Sequence, residues 1–367
     1  MTTVVIAGGG TGGHLFPGLA VAEQLGARGI AVHWVGSRHG LEATRLSATG
    51  IPVRLLPVAG VVGRGRFAAV AAALSLPSSV AVAAAHLLRL RAAAVLAVGG
   101  YAAVPAALAA GLLGVPLLLQ EQNARPGLAN RLLAPWADGI ACGFRSALAA
   151  FPSLPAWWTG NPVRPAFFAV PPPHPSAGLL VLGGSQGSAF LNRLVPQALA
   201  QLPPAQRPRV RHQCGPRWLE EVRERYREMG VAAEVVSFLE RPAEALAQAL
   251  LVVARAGALT VCELAAARRF ALLVPFAAAA HAHQLANARE LAAVGAAEVL
   301  EEHEATPSST AALLARLLAD PAALVARGQG GAVLAPPDAA ERVSEAVASR
   351  AGLARPTPAL PRGEEAP

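Results

Sequence analysis

The chain is 367 residues long and 54% hydrophobic, which suits two domains of comparable size better than one. All 31 basic residues are arginine and the formal net charge is +8; they are scattered, with no basic stripe interleaved with aromatics, which weighs against nucleic acid as a partner and leaves an anionic membrane surface open. Three well-separated cysteines, Cys142, Cys214 and Cys262, support neither a disulfide framework nor a metal cluster and fit a reducing cytoplasm.

In chain order, residues 4–7 read as a β run that breaks into Gly8-Gly9-Gly10-Thr11-Gly12-Gly13-His14, with a helix predicted over residues 17–28. A strand, a loop with few side chains and a helix aim backbone N–H groups and a helix N-terminus at an anion. A tight turn would need one glycine, and this loop has five. The opening run is too short, and lacks the basic flank, for a signal peptide. Further β runs at residues 31–35, 53–57, 95–98, 117–120 and 139–142 alternate with helix-length segments, as in a buried parallel sheet of βαβ units. Residues 67–88 carry no formal charge and are long enough to span a bilayer. Their alanines, serines, Pro77 and His86 make insertion weak, so an interfacial or buried helix pair is expected.

A linker follows. Residues 157–165 run into Pro171-Pro172-Pro173-His174-Pro175, which can form neither helix nor central strand. The opening pattern then recurs: a β run at 179–182 enters Gly183-Gly184-Ser185-Gln186-Gly187-Ser188, followed by a helix and β runs at 209–213, 234–237, 250–254, 271–274 and 297–300. The fold class is α/β, two tandem doubly wound Rossmann-like domains with a cleft between them. The expected divisions are 1–162, 163–338, a closing helix within 339–353 and a disordered tail at 354–367.

Two ligand classes compete for the first loop. Gly8-x-Gly10-x-x-Gly13 matches the dinucleotide fingerprint, yet the second strand ends in Val35-Gly36-Ser37-Arg38 without a carboxylate; Ser37 and Arg38 would suit a 2′-phosphate, which keeps an NADP-dependent oxidoreductase open. The other candidate is a nucleotide-sugar transferase with the donor in the second domain.

GGGTGGH at 8–14, GGY at 99–101, QEQN at 120–123 with NRLL at 130–133, GNPVR at 160–164, GGSQG at 183–187, RAGALTVCE at 255–263, VPF at 274–276 and HQLANA at 283–288 carry a specific resemblance. The chain resembles the family 28 glycosyltransferases of GT-B fold that convert lipid I to lipid II in bacterial cell-wall synthesis. That resemblance implies a UDP-N-acetylglucosamine donor and a polyprenyl-diphosphate-linked acceptor. It implies work at the cytoplasmic face of the inner membrane, with cell-wall and division proteins as possible company.

It also implies roles for particular residues. Ala258, Leu259, Thr260, Val261, Cys262 and Glu263 match the helix start that holds the donor, with Glu263 on the ribose; the bland reading of Glu263 is a first-turn glutamate complementing the helix dipole. Ser185 and Arg164 match diphosphate contacts, although Arg164 is otherwise one surface arginine among 31. Leu239 matches the position whose backbone reads the uracil, and Gln284, with His283, the grip on the sugar hydroxyls. Thr11, Gly12, Gly13 and Asn123 match positions reaching the donor sugar, while Tyr101 and Asn130 line the same region. The reaction is inverting and needs no cofactor or metal, consistent with the lack of an Asp-x-Asp motif. For the base, His14 has the right pKa class and Glu121 is second choice; His14 as a mere hydrogen-bond partner weighs equally. The membrane surface falls on residues 67–88, flanked by Arg64, Arg66, Arg89 and Arg91. A transferase with another acceptor, and a non-catalytic nucleotide-sugar sensor, remain the rivals.

Overall fold

The computed structural model describes residues 2–10, 12–38, 42–58, 65–277 and 283–353, without the side chains of 44, 45, 48 and 65–73. Thr11, Arg64 and the expected tail lie outside the described residues, as does the side chain of Arg66. The chain divides into two compact units, one of residues up to Val163 and from Pro337 on, the other Arg164–Pro336.

In the first unit the chain runs β1 (Thr3–Ala7), α1 (Gly12–Ala27), β2 (Ala31–Ser37), α2 (Glu42–Arg45), β3 (Val53–Leu56), α3 (Gly65–Leu90), β4 (Ala94–Ala97), α4 (Val104–Leu113), β5 (Leu117–Glu121), α5 (Leu128–Leu133), β6 (Gly139–Cys142) and β7 (Ala156–Trp158). Among the described residues these strands form one parallel sheet in the order β3-β2-β1-β4-β5-β6-β7. β1, β4, β5 and β6 are buried along their whole length, as strands covered by helices on both faces must be.

The second unit repeats the plan with α6 (Pro165–Phe168), β8 (Gly178–Leu182), α7 (Ala189–Ala200), β9 (Val210–Gln213), α8 (Leu219–Glu228), β10 (Ala233–Val236), α9 (Pro242–Ala247), β11 (Ala249–Ala254), α10 (Ala258–Ala266), β12 (Phe270–Leu273), α11 (His283–Ala293), β13 (Ala297–Val299), α12 (Pro307–Leu318) and α13 (Pro321–Gln329). Its parallel sheet has the order β10-β9-β8-β11-β12-β13. The last helix, α14 (Ala339–Arg350), belongs to the first unit: Val343 and Val347 are fully buried in one cluster with Val4, Ile6, Leu15 and Trp34, and Arg28 pairs with Glu345 at 3.1 Å. The α/β class and the doubly wound pattern expected from sequence are therefore present in both units.

Three local expectations are corrected. The first helix begins at Gly12, not Pro17, because the turn that carries His14 also buries Leu15 completely. The linker begins later than Trp157: residues 156–158 extend the sheet, with Trp157 lying over Gly139, where a Cβ would come within 2.5 Å of its ring. A three-residue strand is too short to show a period, and the arginines that cover it, Arg145 at 4.0 Å from the Trp158 ring and Arg350 at 5.7 Å from Trp157, come from elsewhere in the chain. Finally, residues 67–88 form part of one helix that runs through Pro77, not a pair. No single helix among the described residues is long and apolar enough to cross a membrane.

Candidate functional site

In a doubly wound sheet, ligands sit at the carboxyl ends of the strands where the order reverses. In the first unit that place lies between β1 and β4. The early start of α1 puts Gly12, Gly13 and His14 in its first turn, where N–H groups have no partner four residues back.

His14 is held from the start of α1 by two acceptors of the neighbouring strand ends. Its Nδ1 lies 3.1 Å from the Val98 carbonyl oxygen and 3.1 Å from Gln122 Oε1. Both are acceptors, so Nδ1 carries the ring hydrogen and Nε2 is the basic atom. Gln122 is oriented in turn by donating from Nε2 to the Val98 oxygen at 2.8 Å and by its contact with Gln120 Oε1. Burial pushes His14 below its ordinary value of 6.5, opposed by Glu121, by the bonds to Gln122 and Val98, and by Glu42. The imidazole is therefore neutral at neutral pH and able to accept a proton at Nε2.

Glu121 is held differently. It is 1% exposed. Oε1 accepts from Asn123 N at 2.8 Å and Asn123 Nδ2 at 3.0 Å, and Oε2 from Gly127 N at 2.9 Å and Asn130 Nδ2 at 2.9 Å. Four donors hold this carboxylate to the turn between β5 and α5, which is the geometry of a structural anion and a poor one for a base. The amide of Asn123 is thereby fixed beside it.

The end of β2 does hold a carboxylate, supplied by Glu42 from the following turn. Glu42 is fully buried; Oε2 accepts the Gly10 N–H at 2.8 Å and Oε1 the Ser37 N–H at 2.7 Å. The loop's Gly10 N–H is thus spent on the protein's own anion, not held for a phosphate. Ser37 is occupied as well, its Oγ donating to the Val58 oxygen at 3.1 Å. A buried carboxylate where a 2′-phosphate would approach is repulsive to it, which removes the ground for the NADP reading.

In the second unit the order reverses between β8 and β11. Ser185 is exposed in the loop after β8, and α10 starts directly after Gly257, which carries no side chain to cap it. Along α10, Leu259, Thr260 and Glu263 are half-buried, while Ala258, Val261 and Cys262 turn their side chains into the core and can meet a ligand only through backbone. Arg164, at the cap of α6, donates from Nη2 to Glu263 Oε1 at 3.1 Å. Burial pushes Glu263 above the usual carboxylate value, opposed by the charge and hydrogen bond of Arg164. Leu239, just after β10, is buried as a core side chain would be, so only its backbone can serve a ligand.

Gln284 and Asn287 on α11 brace the loop before α10. Gln284 Oε1 accepts from Ala256 N at 3.2 Å and Phe276 N at 3.0 Å, and Asn287 Nδ2 donates to the Ala256 oxygen at 3.1 Å. That leaves the Gln284 amino group as the donor it can offer a sugar hydroxyl. Arg255, unassigned from sequence, precedes the same loop: it donates to Ser188 Oγ at 3.0 Å, the Val274 oxygen at 3.0 Å and Glu302 Oε1 at 2.5 Å. Its position at the last residue before Ala256-Gly257 was a usable signal; Glu302, 47 residues away in sequence, gave none. Among the described residues no group of three or more His, Cys, Asp or Glu side chains could hold a metal ion.

Comparison with known proteins adds the following. Residues 4–142 match the glycosyltransferase family 28 N-terminal domain and residues 178–343 the family 28 C-terminal domain. A curated protein of Nitrosococcus oceani, the UDP-N-acetylglucosamine--N-acetylmuramyl-(pentapeptide) pyrophosphoryl-undecaprenol N-acetylglucosamine transferase, is 45% identical over 349 residues, 93% of this chain and 97% of that one. The protein of the same name from Stutzerimonas stutzeri is 44% identical over 344 residues, 93% and 96% of the two chains. Among solved structures, Acinetobacter baumannii MurG aligns with a TM-score of 0.78 at 32% identity, over 95% of this chain and 100% of that one. An S. aureus MnaA structure with UDP, at 12% identity and TM-score 0.69 over 96% of this chain and 98% of that one, shares the fold alone.

Proposed function

The chain belongs to glycosyltransferase family 28, and on that premise we propose that it moves N-acetylglucosamine from UDP-N-acetylglucosamine to the 4-hydroxyl of the muramoyl sugar of a polyprenyl-diphosphate acceptor, lipid I. The observation that carries this is the likeness of at least 44% to two curated transferases of that name over 93% of the chain.

The donor is assigned to the second unit. Its diphosphate meets the first turn of α10, whose aligned N–H groups act as roughly half a positive charge, together with Ser185 and Arg164. Glu263 receives the ribose hydroxyls, the backbone near Leu239 the uracil, and the Gln284 amino group a sugar hydroxyl. The acceptor is assigned to the first unit, where Thr11, Gly12, Gly13 and Asn123 reach the transferring sugar. His14 takes the proton of the attacking 4-hydroxyl on Nε2 as the new bond to the anomeric carbon forms on the face opposite the departing UDP, giving inversion. The charge that develops on UDP is met by the N–H groups of the α10 terminus, fixed by the helix, and by Ser185 and Arg164, the latter once the donor has replaced its bond to Glu263.

The membrane-facing surface is assigned to α3. Leu74 is 77% exposed and Leu88 61% exposed, next to the exposed Arg89 and Arg91. Apolar side chains rimmed by arginine suit peripheral contact with an anionic leaflet, here the cytoplasmic face of the inner membrane.

The test is product identity. Incubation with UDP-N-acetylglucosamine and a short-chain lipid I analogue should add one N-acetylhexosamine to the analogue, with a β-1,4 linkage by NMR. Addition to another polyprenyl or small acceptor but not to lipid I would move the chain to a different acceptor class.

A further inference from the structure

Glu42 is unaccounted for by the donor and acceptor assignments, yet it is among the most deliberately housed groups in the first unit. It opens the short α2, is fully buried and has no cationic partner in hydrogen-bond reach among the described residues. Space for it is made by two glycines. A Cβ on Gly9 would fall 2.1 to 2.3 Å from the Glu42 carboxylate atoms, and one on Gly36 2.4 Å from Glu42 Cγ.

Its two oxygens join two strands' ends. The Gly10 N–H belongs to the turn from β1 into α1, and the Ser37 N–H to the end of β2. Four residues after Gly10 stands His14. A Cβ on Gly10 would meet the Tyr101 ring at 3.2 Å, and the Tyr101 hydroxyl lies 3.3 Å from Ser37 Oγ. The turn is therefore tied by the carboxylate and bordered by the Tyr101 ring.

We propose that Glu42 is a positioning residue for the transfer reaction, whose carboxylate ties the Gly10 and Ser37 N–H groups together and so fixes the turn that presents His14 to the acceptor hydroxyl. The proposal rests on reading His14 as the base. Two consequences follow from chemistry. First, an amide in place of the carboxylate keeps one acceptor but turns an NH₂ toward an N–H donor, so one of the two clamps is lost and the turn loosens. Second, Glu42 and Glu121 are the charged groups acting on His14, and removing one negative charge makes the imidazolium form harder to reach.

The experiment compares wild type, Glu42→Gln and Glu42→Asp in UDP release with a short-chain lipid I analogue, alongside NMR titration of the His14 ring. In Glu42→Gln, kcat should fall by about tenfold or more, as misplacement of a catalytic group does. KM for UDP-N-acetylglucosamine should change less than kcat, because most of the proposed donor contacts lie in the second unit, and the acid limb of kcat and the His14 titration should both move to lower pH. Glu42→Asp keeps the charge but withdraws it by one methylene, so kcat should fall while the acid limb stays in place; this variant carries the test if Glu42→Gln does not fold. Wild-type kcat in either variant, or a raised donor KM with kcat intact, would overturn the proposal. The NMR titration reads His14 without turnover: a shift to lower pH in Glu42→Gln with no transfer by wild type would sink the functional reading alone, and an unmoved titration with active wild type the Glu42 proposal alone.

Discussion

Arg164 Nη2 and Glu263 Oε1 stand 3.1 Å apart, a salt bridge between the cap of α6 and the second turn of α10. The two residues are assigned to different parts of the donor, diphosphate and ribose, and here they are bonded to each other. A donor must therefore replace this bond with bonds of its own. Because burial raises the Glu263 pKa while Arg164 opposes the rise, the ionised form of Glu263 is lost at a higher pH than for an ordinary carboxylate as the solution is acidified. Calorimetric affinity for UDP-N-acetylglucosamine should weaken as the solution is acidified, beginning above the ordinary carboxylate value of 4.5. In Arg164→Met the weakening should begin at higher pH, and in Glu263→Gln the pH dependence should disappear with affinity low throughout. A flat profile in the wild type would separate Glu263 from the donor.

For His14, replacement by alanine should lower kcat by ~10²–10⁴-fold, the usual contribution of a general base. Because its pKa is depressed by burial, wild-type kcat should stay on a plateau through neutral pH and fall only below the ordinary imidazole value of 6.5. Glu121→Gln should act differently: it exchanges an acceptor for a donor facing Gly127 N or Asn123 N, so its main effect should be a lowered melting temperature. Loss of the acid limb in Glu121→Gln, with the limb kept in His14→Ala, would reverse the two roles.

Stability of the second unit should carry its own pH signature. His212 is fully buried, with Nδ1 2.9 Å from the Tyr226 hydroxyl and Nε2 3.1 Å from Asn192 Oδ1, and burial takes its pKa down to about 3. A group that binds a proton less readily when folded contributes stability that is complete above 6.5 and lost as pH falls toward 3. The full loss is on the order of 5 kcal/mol. Urea unfolding at a series of pH values should show this decline, and His212→Gln should flatten it while lowering stability at neutral pH.

The closing helix should be indispensable to the first unit. Val343 and Val347 are both fully buried in the core with Val4, Ile6 and Trp34, and Arg342 lies 5.8 Å from the Trp158 ring. Val347→Ala should cost about 2 kcal/mol by thermal unfolding. A chain ending at residue 336 would expose that face and should aggregate; a soluble, cooperatively folding truncation would contradict the packing described.

Much of this was legible in the chain itself, for physical reasons. Strands buried on both faces leave continuous apolar runs, so residues 4–7, 117–120 and 139–142 announced the first sheet, and the two glycine loops marked the reversal points. The helix at 339–350 was also visible, being periodic and charged on one face. Contacts made over long separations were not legible. Glu42 reaches back 32 residues to Gly10, Glu302 reaches back 47 to Arg255, and Gln122 crosses 108 to His14. In each case the side chain looks like an ordinary polar residue until the sheet brings its partner alongside. Trp157 and Trp158 read as linker because three residues give no period, and α1 was begun late because Pro17 is tolerated inside a helix whose first turns are anchored by Leu15.

The measurement that bears most directly on the account is acceptor-dependent release of UDP from UDP-N-acetylglucosamine with a short-chain lipid I analogue, in wild type, Glu263→Ala and His14→Ala. The account predicts release only when the analogue is present, donor saturation lost in Glu263→Ala, and kcat lost with donor binding retained in His14→Ala. Tight UDP-sugar binding with no release on any lipid I analogue would contradict it and leave a nucleotide-sugar binder or a transferase for some other acceptor.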